Sequence, residues 1–221
     1  MEDPLADIVS QDEVHFMLGT LVTRGWYPVG SIPIVGSAPG KSGVSLSGFV
    51  SIKTGETFIT SPERFTYEST IAAIRGFLES YECRRGHKIH MILDNAPWHK
   101  KAKRLIRDEK NEEYADIRAK VVFLDIPPYS PDLNPIEQLW RKARYEITHN
   151  RFFKNLKELK SALANFFGKF IRPNEEIASL CQFDFTKKRH SASKQLWIGM
   201  EHKLFRKNMA QKSVDEVLVP I

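Results

Sequence analysis

Cysteine is nearly missing from this chain of 221 residues: Cys83 and Cys181 stand alone, with no CxxC pair and no Cys/His ligand spacing. Their scarcity excludes a structural zinc site and a disulfide framework, and it fits a reducing, intracellular compartment. Long hydrophobic runs are missing too. No stretch approaches the ~20 apolar residues that a membrane-spanning helix needs, so no membrane partner is expected. The opening MEDPLADIVS is acidic and lacks a basic region followed by an apolar one, which excludes a secretory signal there. Internal repeats and low-complexity segments are absent as well, so neither a solenoid nor a disordered tract is expected.

What is present describes a soluble globular protein. With 42% hydrophobic and 27% charged residues, the chain can build one domain with a proper core plus a small appendage. Its formal charge of +6 favours an anionic partner, of which nucleic acid is the commonest.

The first half reads as strands. Val14–Leu18, Leu21–Trp26, Val44–Ile52 and Glu56–Thr60 are short β-prone runs separated by Gly, Pro and Ser, with Lys53-Thr54-Gly55 as a hairpin turn. This pattern predicts an antiparallel meander. The period then changes: Ile71, Ile74, Leu78 and Tyr81 recur at helical spacing over Tyr67–Tyr81, ahead of a strand over Lys88–Leu93. A basic helix from about His99, a strand over Val121–Ile126 and a helix opening at Asn134 follow. Strands first, then alternating helix and strand, predict an α/β mixed sheet with helices packed on it. Asn155–Ile171 carries Leu156, Leu159, Leu163, Phe166, Phe167 and Phe170 on one helical face and ends before Pro173. We therefore expect a catalytic domain over residues 1–172 and a partly helical carboxy-terminal extension over 173–221, where Phe183, Phe185, Trp197 and Phe205 argue against complete disorder.

Three acids lie on or beside these elements. Asp12-Glu13 follows the Ile8-Val9 run, Asp94 ends the KIHMIL strand, and Glu137 opens the helix after PPYSPDLNPIE, Pro127–Glu137. Each has an ordinary explanation. Glu137 is the third helical residue if Asn134 is the cap, the geometry of a capping box. Asp94 suits a turn before Pro97. Of Asp12 and Glu13, only one points to a given sheet face. The conjunction is what singles them out. Two carboxylates about 5 Å apart repel by roughly 3 kcal/mol at an effective dielectric near 20, so acids clustered in one cleft need protons or a cation. Hard oxygen ligands without cysteine select Mg²⁺ or Mn²⁺. Two such ions about 3.5–4 Å apart support in-line phosphoryl transfer on a phosphodiester.

Together, Asp12-Glu13, Asp94-Asn95-Ala96 with His99 close behind, and PPYSPDLNPIE resemble the catalytic domain of DDE transposases of the mariner superfamily, in its insertion-sequence branch, over roughly residues 8 to 170. The last string is the most specific of the three. The resemblance implies a ribonuclease-H-like fold in which Asp12, Asp94 and Glu137 are the catalytic residues and bind two ions, Mg²⁺ or Mn²⁺. Glu13 is the substitute ligand should the strand register differ by one. It further implies cut-and-paste DNA transposition on double-stranded DNA, homodimeric synapsis of two element ends, a TA target, and a nucleoid-associated protein of the prokaryotic cytoplasm. The family's helix-turn-helix modules are not seen ahead of the first strand, so the sequence reads as one half of a split gene with a separately encoded helix-turn-helix subunit, as a fragment, or as a decayed copy. The interval from Asp94 to Glu137 exceeds the family's usual spacing, and Arg107–Arg118 is read as a surface insertion.

Basic residues follow two of the acids. Lys100, Lys101, Lys103 and Arg104 come after Asp94, and Arg141 and Arg144 after Glu137; they are expected to hold DNA phosphates, the alternative being solvated helix faces. Asn95, Trp98 and His99 are possible accessory residues: Trp98 for stacking on a base or packing in the core, His99 for the scissile phosphate or for structure at the helix start. Two other functions fit the same residues. One is a ribonuclease-H-fold nuclease such as a junction resolvase; the other is a catalytically decayed transposase that only binds DNA or a partner.

Overall fold

Residues Ile8–Met17 form a single ten-residue strand, β1, at the centre of the sheet in the computed structural model, which describes residues 7–24, 29, 34–38, 41–81, 88–127 and 130–182. The sequence pattern placed only Val14–Leu18 in a strand there. The ladder runs straight through Ser10, Gln11, Asp12 and Glu13, with the side chains of Ser10, Gln11 and Glu13 finding partners on both faces. Beside β1 lies β2, Gly43–Ser51, antiparallel, and outside it β3, Thr57–Thr60. On the other side lie β4, Ile89–Leu93, and β5, Val121–Asp125, both parallel. The order among the described residues is β3-β2-β1-β4-β5, the mixed sheet that the sequence predicts.

Alternation along β1 divides the core in two. Val14 and Phe16 face a cluster with α4, Ile136–Ala143, and α5, Leu156–Phe167. Val9 faces the opposite cluster, formed with α1, Tyr67–Ser80, and α2, Pro97–Arg107. The residues on each helix that meet the sheet recur at three- and four-residue spacing, as in Ile136, Leu139, Trp140 and Ala143. Thr66 and Ser69 cap α1 reciprocally, and Asn155 caps α5 by accepting from the Glu158 N–H.

Three local expectations are revised. Leu21–Arg24 forms no strand, only an isolated bridge from Leu21 to His149, since β2 and β4 already occupy both edges of β1; Gly25 and Trp26 lie outside the described residues. The stretch Arg107–Arg118 is more than a surface insertion. It contains a 3₁₀ turn, Glu112–Tyr114, and α3, Ala115–Lys120, with Ile117 and Tyr114 buried in the core. Arg118 Nη1 closes that loop by donating to the carbonyls of Ile106, Asp108 and Asn111. Finally, α6, Glu175–Cys181, packs Ile177 and Cys181 into the same core as Trp140, so the compact unit extends to Gln182. Its amino end receives the predicted hairpin turn: Gly55 sits at φ +69°, where any Cβ would strike the Asn174 carbonyl. The remainder of the expected extension, including Phe183, Phe185, Trp197 and Phe205, lies outside the described residues, as do Cys83 and Tyr129. Among the described residues no helix is long and apolar enough to cross a membrane.

Candidate active site

Register brings the first two acids together. Ser10 on β1 is level with Ile92 on the parallel β4, so two residues further along Asp12 and Asp94 stand side by side at the sheet's carboxyl edge. Asp94 lies just past the end of its strand, held by a turn in which its Oδ1 accepts from the Ala96 N–H at 2.9 Å. Asn95 staples that turn to the next strand by donating to the Ile126 carbonyl.

Glu137 is delivered from α4, on the Asp12 face of the sheet. The expected capping box is not made: α4 has no side-chain cap. Asn134 instead accepts from the Ser10 hydroxyl, and Ser10 Oγ in turn accepts from the Ile136 N–H at 3.3 Å. Ser10 thus clamps the start of α4 to the strand two residues before Asp12. One turn after Glu137, the fully buried Trp140 packs its ring atoms Cη2 and Cζ2 against Gly48, which is paired with Asp12 across the β1–β2 ladder. A Cβ at position 48 would come within 2.4 Å of Trp140 Cη2, so only glycine lets the helix approach this closely. Glu137 consequently becomes a principal electrostatic neighbour of Asp12, with Asp94 and Glu13 also acting on it.

Glu13 lies on the opposite face of β1 from Asp12. Its Oε1 accepts from Gln11 Nε2 at 3.2 Å and faces His99 Nε2 at 2.8 Å, and its Oε2 accepts from Trp98 Nε1 at 2.9 Å. His99 is completely buried, and its Nδ1 bonds Asp94 Oδ1. The sequence alone left Trp98 as either a base-stacking or a packing residue, and His99 as either a phosphate contact or a structural one. In the structure both face Glu13, while the Trp98 ring also neighbours Phe65.

The electrostatics follow from this arrangement. Burial, then repulsion from Glu137, push the Asp12 carboxyl up to about 8. Burial alone would lower His99, but its bonds to Asp94 and Glu13 carry it up to about 9. Burial would raise Asp94; the His99 bond and the Ala96 N–H overcome this and hold it below the usual carboxylate range. Among the described residues neither Asp12 nor Glu137 has an ion-pair partner, and no three carboxylate, imidazole or thiol groups close into a ready-made metal cage. An all-oxygen set with an uncompensated buried carboxylate suits a hard divalent cation. The open geometry suits ions that keep part of their water and take substrate phosphate as a ligand.

The basic residues divide by role. Lys100 and Arg104 are exposed and line a groove of about 680 Å³ together with Asn95, Lys103, Arg107, Asp108 and Asp125. Lys103 itself is buried: its Nζ donates to the Asp94 carbonyl at 3.1 Å and to Asp125, whose carboxyl burial would raise but Lys103 helps hold below the usual carboxylate range. Lys101 lies 3.6 Å above the Tyr67 ring, on a different side of α2. Arg141 is exposed and bonded to Gln138, and Arg144 is half-buried where α4 passes into a π-helical turn, Arg144–Thr148. Sequence reasoning missed Ser10, Gly48 and Trp140 as site-builders. Ser10 offered a signal, a hydroxyl in an apolar strand two residues before an acid and therefore on the same face. Gly48 offered none, because the partner that demands it lies 92 residues away.

Comparison with known proteins agrees with this architecture. The sequence profile described as DDE superfamily endonuclease matches residues 7–160. Over 90 residues the chain is 28% identical to the uncharacterized protein y4pE/y4sA of Sinorhizobium fredii, covering 41% of this chain and 58% of that protein. Among solved structures it is similar to the Mos1 transposase paired-end complex with left transposon end, at 16% identity and TM-score 0.53 over 79% of this chain and 50% of that one. It is likewise similar to the Mos1 mariner paired end complex with Mn, at 16% identity and TM-score 0.56 over 80% and 52%. The chain spans about half the length of the relatives it matches. What it shares with the solved structures is the ribonuclease-H-like fold.

Proposed function

The chain belongs to the DDE superfamily of endonucleases, and from that premise we propose that it is the catalytic domain of a DNA transposase. Asp12, Asp94 and Glu137 are its proposed catalytic carboxylates. The observation that carries this is the convergence of Glu137 and Asp94 on a buried Asp12 whose charge no described residue neutralises. The three would hold Mg²⁺ or Mn²⁺, two ions in the full complex; when bound, these lower the pKa of water and stabilise the charge that develops on a phosphodiester.

The chain's own residues do the rest. Asp12 lies on β1 and Asp94 just past the end of the parallel β4, and the register of the two strands supports their facing one another. Glu137 is fixed by the Ser10 clamp and by Trp140 on Gly48. Lys100 and Arg104 line the adjoining groove, where they would hold the phosphates of the strand leaving the site. In the proposed reaction water attacks phosphorus and the 3′-oxygen departs, leaving a 3′-hydroxyl. That hydroxyl then attacks a target phosphodiester and displaces the target's 3′-oxygen. No protein nucleophile is required. Double-stranded DNA is the proposed partner as both element end and target. A second copy of the chain would pair two ends, and a helix-turn-helix polypeptide would read their sequence.

The test is nicking of supercoiled plasmid in Mn²⁺, together with joining of a labelled oligonucleotide 3′-end into that plasmid. Wild type is expected to do both, and Asp94→Asn neither, while still retaining DNA in a filter assay. Cleavage without joining would assign a nuclease of the same fold instead. DNA binding with no metal-dependent cleavage by the wild type would assign a binding domain.

A further inference from the structure

Two neighbouring residues of β1 serve opposite faces of the sheet, and only one has been given a role in the reaction. Glu13 is inaccessible as a metal ligand: its side chain is 7% exposed and both its oxygens are engaged, by Gln11 and His99 on one and by Trp98 on the other. Three donors converging on one carboxylate is more than packing needs. Each donor comes from an element of the site, since Gln11 lies on β1 beside Asp12, and Trp98 and His99 open the helix that follows Asp94.

His99 transmits this to Asp94. Its two nitrogens each face a carboxylate oxygen, Nε2 that of Glu13 and Nδ1 that of Asp94, so the ring is held between the two side chains. Asp94 Oδ1 is thereby fixed by His99 and by the Ala96 N–H, whereas among the described residues no hydrogen bond falls on Oδ2. The turn that carries it is held as well, since Lys103 bonds the Asp94 carbonyl and Asn95 bonds the Ile126 carbonyl.

We infer that Glu13, acting through His99, is a positioning residue: it locks Asp94 Oδ1 so that Oδ2 is the single oxygen presented toward Asp12. This rests on the metal-dependent function proposed above. The same line ties β1, which carries Asp12, to the amino end of α2, so one network fixes the spacing of both acids.

The experiment is Mn²⁺ binding by calorimetry to the full chain, alongside thermal melting of every variant. Wild type is expected to bind and Asp12→Asn to lose binding. Glu13→Gln and His99→Gln are expected to weaken binding about 10–100-fold, the size usual for a residue that orients a ligand, with melting temperatures close to wild type. His99→Asn, whose amide nitrogen stands where Nδ1 stood, should retain more affinity than His99→Gln. The double variant Glu13→Gln/His99→Gln should bind no more weakly than His99→Gln alone, because the two act in series. Histidine-labelled wild type, metal-free, should show a slowly exchanging ring proton on His99, a readout that survives even if a variant fails to fold. Mn²⁺ binding that Asp12→Asn abolishes but Glu13→Gln and His99→Gln leave unchanged overturns the inference and leaves the metal reading standing. A His99 ring with no protected proton overturns it too. A wild type that binds no Mn²⁺ overturns both.

Discussion

Gly48→Ala is the sharpest perturbation of this site, because it adds one methyl group far in sequence from every acid. Its Cβ would stand 2.4 Å from Trp140 Cη2, 2.9 Å from Trp140 Cζ2 and 2.8 Å from Ile59 Cδ1. Carbon atoms pack at about 3.5–4.0 Å, so the indole must retreat by about 1 Å. It has little room to do so, since its other edge meets the Phe167 ring at a centroid separation of 5.7 Å and the residue is fully buried. The retreat therefore passes to α4 and carries Glu137 away from Asp12. Overpacking of this kind costs about 1–3 kcal/mol, which lowers the melting temperature of a domain this size by about 2–12 °C. A displacement near 1 Å in a catalytic group costs about 100-fold in rate. The assay is initial rate of plasmid nicking in saturating Mn²⁺, at a temperature where circular dichroism shows the variant fully folded. Trp140→Phe in the same background removes Cη2 and Cζ2, the atoms in conflict, and should recover most of the lost rate. Wild-type nicking by folded Gly48→Ala, or no recovery in the double variant, refutes the claim that this contact sets the position of Glu137.

Four further outcomes are expected. In metal-free protein the native state keeps the Asp12 proton up to about 8 while the unfolded chain releases it near 3.8, so stability falls as pH rises between those values; the wild-type melting curve minus that of Asp12→Asn should fall across this window, and a flat difference would count against the buried, uncompensated carboxylate. Burial pushes the Cys181 thiol up to about 12, so iodoacetamide at pH 8 should leave the Cys181 peptide unmodified in the folded protein and alkylate it after denaturation, as read by peptide mass; labelling in the native state would contradict the packing of α6. Lys103→Ala leaves a half-exposed Asp125 with Arg107 as its remaining cation and should cost about 1–2 kcal/mol by thermal melting, a screened value for a buried cation paired at the surface. Lys100→Ala and Arg104→Ala should leave melting unchanged and each reduce the salt dependence of DNA binding by about one counterion, measured by filter binding across salt concentrations; equal effects of all three on binding would erase the distinction drawn between them.

Much of this molecule is written locally. Alternation marks β2, β3, β4 and β5, helical spacing marks α1 and α5, and PPYSPDLNPIE marks the entry to α4, since each pattern depends on residues a few positions apart. The three acids were legible for the same reason, each being the polar residue that interrupts or ends an apolar run. Their assignment to faces was not. Asp12 and Glu13 are equivalent until β1 takes its register against β2 and β4, which sends one toward Glu137 and the other toward His99. Asn134 and Glu137 spell a capping box, yet Ser10, 124 residues away, takes the Asn134 oxygen and leaves Glu137 to the cleft. Lys103 reads like its neighbours on a basic helix, but the face it occupies turns inward onto Asp125. A carboxylate, a hydroxyl or a missing side chain acquires its role from whatever the fold sets within about 3 Å of it, and hydrogen bonding and exclusion at that range depend on contacts between distant segments that no local period encodes.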